Sequence, residues 1–118
     1  MQVLSKLELD FDAIAQYSSR GASSARVADG FGETHAYVLQ FNPGGAIGQH
    51  EAGFGQLFIV LAGSGWVSGA DGSHAEVDVG DVVYFERGEQ HAKGSAAGMK
   101  ALMVQVRDLS PPRSTTVD

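Results

Sequence analysis

Two stretches of this chain hold the side chains best suited to chemistry. The first runs from Gly44 to Gly65 and carries His50 in a glycine-rich turn, with Gln56 six positions later at the head of an apolar run. The second runs from Gly80 to His91 and ends on its histidine. Imidazoles hydrogen-bond polar ligands, exchange protons near neutrality and coordinate transition metals, and an amide both donates and accepts. Two imidazoles and an amide brought together would suit a polar site inside a small barrel. His35, in an alternating segment upstream, is a further candidate for the pocket and for acid/base work.

The segments that must position these groups read as strands. Glu33 to Phe41 alternates, with His35, Tyr37, Leu39 and Phe41 on one face; the bulkier set should turn inward and take His35 with it. Asn42-Pro43-Gly44-Gly45 is turn chemistry. Gln56 to Leu61 is almost wholly apolar, with Gln56, Phe58 and Val60 on one side and Leu57, Ile59 and Leu61 on the other, so both faces look buried. Gly63-Ser64-Gly65 reads as a turn into Trp66-Val67-Ser68, and Asp71-Gly72 as a hairpin leading to Ala75–Val79. Val82 to Phe85 and Lys100 to Val106 complete the expected strands. The facing of Met103 in the last one is open, and so is the choice between Tyr84 and Phe85 as the one that lines a cavity. Upstream, Met1 to Leu9 is a candidate edge strand, Phe11 to Tyr17 a candidate helical turn, and Ala25 to Ala28 a candidate short strand. His74 falls in a solvated turn.

Composition narrows the class. The 118 residues suffice for one core, and 43% apolar with 19% charged residues is ordinary for a globular domain. Sixteen dispersed glycines fit many tight turns between short strands. A net charge of −6 argues against binding to nucleic acid or to an anionic membrane. The absence of cysteine removes disulfides, thiolate metal sites and a cysteine nucleophile. No apolar run is long enough for a membrane span, the first twelve residues lack an apolar signal core, and a cytoplasmic location is the default expectation. No phosphate loop, nucleotide fingerprint or Ser-His-Asp spacing is present.

The two stretches resemble the paired motifs of the cupin superfamily. Its first motif is a Gly, five residues, His-x-His, three or four residues, Glu, six residues and Gly. Here Gly44, His50, Gln56 and Gly63 take the first Gly, first His, Glu and last Gly positions, and Ala52 stands at the second His. In the second motif Gly80, Gly88 and His91 match, while Glu86 replaces a Pro and Ser95 an Asn.

The resemblance implies an all-β fold, a double-stranded β-helix (jelly-roll) cupin barrel over residues 33–107, with an N-terminal arm over 1–32 and a frayed tail over 108–118. It implies His50, Gln56 and His91 as a degenerate metal set for Fe, Mn, Ni, Cu or Zn, with one imidazole and the carboxylate missing. His35 or Glu51 could replace what is lost, and the alternative four-residue spacing would put Gln49 and Glu51 at the His positions. The implied pocket comprises His35, Tyr37, Gln56, Phe58, Tyr84 and Met103. A small-molecule ligand and a homodimer are the expected partners. A metal-dependent dioxygenase or isomerase, with His35 as acid/base, is the alternative to a binding barrel.

Overall fold

The computed structural model describes residues 1–111, the side chain of Asp71 excepted. Its strands are β1 (Gln2–Leu4), β2 (Asp12–Ala13), β3 (Ser23–Ser24), β4 (Asp29–Phe41), β5 (Ala46–Glu51), β6 (Gly55–Ser68), β7 (His74–Asp78), β8 (Val82–Phe85), β9 (Gln90–Gly94) and β10 (Met99–Ser110). One sheet runs β1-β8-β6-β10-β4, and facing it lie β5, β9, β7 and the far end of β6. This is an all-β jelly roll.

β6 belongs to both sheets, which is how the barrel closes. Its residues 55–63 pair with β10, and its residues 64–68 pair with β7. The expected turn at Gly63-Ser64-Gly65 is therefore a bend within one continuous strand. Gly63 carries it with φ 75°, and a Cβ there would collide with the carbonyl oxygen of Gly98.

Alternation on β6 divides the apolar residues between two cores. Phe58 and Val60 join Phe41, Val67, Val77, Val83, Phe85, Met99 and Ala101 inside the barrel. Leu57 packs with Leu4, Val82 and Tyr84 on the outer face, beneath Leu9, Val27 and Ala28 of the N-terminal arm. The arm thus covers the second side of the central strand.

Other boundaries moved. The helical turn lies at Lys6–Glu8, where the Ser5 hydroxyl accepts from the Leu7 N–H and Glu8 reaches back to the Ser5 N–H. Phe11 to Tyr17 is not helical: Asp12–Ala13 pairs with Ser23–Ser24, and Tyr17 and Ser18 have φ of 61° and 55°. The predicted strand at Ala25–Ala28 falls instead at Ser23–Ser24. Residues 108–110, expected to fray, continue β10 and pair with Asp29–Phe31. The rest of that expected tail, from 112 on, lies outside the described residues.

Candidate functional site

Cross-strand register assembles the polar centre. Gln56 on β6 stands opposite Phe85 on β8, and His50 on β5 stands opposite His91 on β9. The His91 ring lies 4.4 Å from the His50 ring and 4.6 Å from the Phe85 ring, centroid to centroid. Two residues along β9, the same alternation turns Lys93 into the barrel, where only 1% of it is exposed. Its ammonium donates to Gln56 Oε1 at 2.5 Å and sits 4.7 Å from the Phe85 centroid and 5.1 Å from that of Phe58. An ammonium only donates, so the Gln56 amide must turn its oxygen toward it.

Lys93 lies outside the predicted site because the expected strands leave out the stretch Gln90-His91-Ala92-Lys93-Gly94. That stretch is a buried strand. The available signal was the i, i+2 spacing of His91 and Lys93, which places both on one face of any strand.

Among the described residues no carboxylate forms an ion pair with Lys93. Burial holds its ammonium down to about 8, so it is largely cationic at neutral pH. Burial, with help from the charges of Lys93 and His50, pushes His91 down to about 4 and keeps it neutral. Glu89 acts in the opposite sense on His91. That carboxylate is itself tied to the Met1 amine and to the N–H groups of Glu86 and Ala70. Among the described residues neither ring nitrogen of His91 has a hydrogen-bond partner, although the residue is 1% exposed. His50 is exposed; its Nδ1 donates to the Gly48 carbonyl at 2.8 Å, which leaves the Nε2 lone pair free in the neutral ring.

The predicted pocket residues separate into two groups. Gln105 pairs with both His35 and Gln56, and Met103 with both Tyr37 and Phe58, so all six share the barrel's inner face. Gln56 and Phe58 are buried at its floor. His35 and Tyr37 follow the expected parity but stay exposed at the rim, since they lie on an edge strand. His35 Nε2 is 2.7 Å from Glu33 Oε2, and its ring lies 6.3 Å from Phe54 and 6.5 Å from Tyr37. It is not gathered with His50 and His91, which weakens its part as acid/base. Tyr84 is a correction: it pairs with Leu57 and packs in the outer core, and Phe85 is the aromatic that faces inward. His74, expected in a turn, opens β7 opposite Ser68; it is exposed, as expected, and stacks on Trp66.

The donor set does not fit a divalent metal. His91 and His50 each offer one ring lone pair when neutral, but the oxygen of the set, that of Gln56, is neutral and already receives a buried cation. Ala52, at the second histidine position, is buried and brings no donor. No carboxylate supplies the charge, and no group of three or more His, Asp or Glu gathers among the described residues.

The cupin domain family matches residues 37–105, more than half of the chain and including every residue of this centre. The chain is a cupin. It is 41% identical over 71 residues to the (R)-mandelonitrile lyase of Granulicella tundricola, covering 58% of this chain and 54% of that enzyme. This cupin therefore spans about half the length of that relative. It also resembles a cupin superfamily protein from Desulfitobacterium hafniense, at 20% identity and TM-score 0.60, with 91% of this chain and 79% of that one covered. A predicted oxalate decarboxylase from Thermotoga maritima is similar at 20% identity and TM-score 0.58, covering 91% and 99%. At such identities the likeness shows the fold. Among the described residues of this cupin no helix is long and apolar enough to cross a membrane.

Proposed function

We propose that this cupin binds a small organic molecule whose oxygen-bearing head meets His91, Lys93 and Gln56. The observation that carries the reading is His91, buried with two unpartnered nitrogens beside a buried ammonium. Buried polar atoms of this kind are nearly always satisfied by something, and a ligand or its attendant water would do so. A carbonyl, hydroxyl or carboxylate suits the cationic floor. The aromatic rim of His35, Tyr37 and Phe54 suits a flat apolar body.

The likeness to a mandelonitrile lyase supports a second reading, in which an aryl cyanohydrin is cleaved rather than only held. The dioxygenase or isomerase alternative has less support, since it needs an ion that the donor set does not fit. Thermal shift with benzoate, benzaldehyde and mandelonitrile tests binding; a ligand at about 100 times its Kd adds about 2.7 kcal/mol. We expect a rise in melting temperature with at least one of these, lost in His91→Leu. No rise with any of them, and a rise with divalent ions alone, would overturn the reading. Release of benzaldehyde from mandelonitrile, suppressed in Lys93→Met, would favour the lyase.

We also infer that the chain pairs with a second copy through β4. One edge of that strand has no partner among the described residues, and it exposes Phe31, Tyr37 and Val38.

A further inference from the structure

We infer that Lys93 is a tethered cation standing in the place of a metal ion, and that its charge is what keeps divalent ions out of this barrel. Three observations carry this. The ammonium binds the oxygen of Gln56, the one residue at the carboxylate position of the motif, so an ion drawn to that oxygen would meet a cation already bonded to it. The side chain is fully buried with no ion-pair partner among the described residues, so its charge is felt undiluted by any metal placed between His50, Gln56 and His91. The ring faces of Phe58 and Phe85 hold the ammonium where it is.

The substitutions are mutually consistent. A neutral amide in place of a carboxylate cannot offset a divalent ion but can accept from an ammonium, and Ala52 in place of a histidine removes a donor that Lys93 does not need. A site built for one fixed positive charge needs fewer ligands and no negative one. This rests only in part on the proposed binding function: a barrel that bound no organic ligand could still carry the tethered cation, because metal binding is measured separately.

The test is cobalt binding, followed by visible absorption and isothermal titration with Co²⁺ alone as the probe. Wild-type protein, Lys93→Met and Lys93→Met/Ala52→His are compared, with melting curves to verify folding. Methionine keeps the length and the contact with the rings while removing charge and donor. We expect no histidine-dependent binding by the wild type. Lys93→Met should bind at least about 100-fold more tightly than any residual, histidine-independent binding by the wild type, Lys93→Met/Ala52→His more tightly still, and His91→Ala in either background should abolish the gain. Lys93→Gln, neutral and able to bond Gln56, serves if the methionine variant does not fold. Stoichiometric, His91-dependent Co²⁺ binding by the wild type would overturn the inference, as would a folded neutral variant with no gain.

Discussion

At the scale of single residues, the molecule concentrates its electrostatic cost in two neighbours on β9. Lys93 has a folded value of about 8 against its ordinary 10.5. Below pH 8 both folded and unfolded chains carry the charge, and the folded one bears the full cost of burying it. Between 8 and 10.5 the folded chain has released the proton while the unfolded chain still holds it, so stability rises with pH across that window, by about 3 kcal/mol at most. His91 works at the acid end, with about 4 against 6.5. As pH falls through that range the unfolded chain takes up the proton first, and stability declines. Burial sets this first, the charges of Lys93 and His50 add to it, and Glu89 opposes it. Urea unfolding from pH 4 to 10 should therefore show two rising limbs, and Lys93→Met should abolish the alkaline one and, by removing a charge that helps to depress His91, make the acid one shallower. An alkaline limb unchanged in that variant would locate its origin elsewhere.

At the scale of elements, β6 is the strand on which both cores and both sheets depend. Its register against β10 shifts at Leu61, between Val60 and Ala62, and two residues on, at Gly63, the backbone is left-handed and the Gly98 carbonyl leaves no room for a side chain. Gly63→Ala should cost about 2 kcal/mol or more, from the strained φ and from the forced separation of β6 and β10. Gly44 has φ 81° but open space around it, so Gly44→Ala should cost less, about 1 kcal/mol, from the backbone alone. Denaturation midpoints of the two variants, compared at equal slopes, check the order; equal losses would show that the close approach to Gly98 is unimportant.

At the scale of the whole molecule, the barrel leaves β4 as a long flank of its main sheet, with Val38 59% and Phe31 72% exposed. A second copy adding its own β4 would pair the free backbone groups and cover these side chains. Sedimentation should report a dimer, and Val38→Lys should shift it toward monomer without lowering the melting temperature of the isolated chain, since charge on an edge strand opposes pairing. A monomeric wild type at high concentration would end the proposal.

Much of this was legible in the sequence. Period-two alternation predicted β4 and β8, the split of Gln56 and Phe58 from Leu57 and Ile59, and the shared face of His35, Tyr37 and Phe41, because side chains in a strand must alternate. The glycine frame around His50 and His91 marked the barrel. What alternation could not decide was which strand lies across from which, and that is a matter of register between segments far apart in the chain. Register made Phe85 rather than Tyr84 the inward aromatic and left His35 at the rim of an edge strand. It also carried Lys93 across the barrel to Gln56, 37 residues away in sequence. A lysine in a polar stretch has the pattern of a solvated residue. Only the folding of that stretch into a covered strand turned its charge inward, and with it the chemistry of the site.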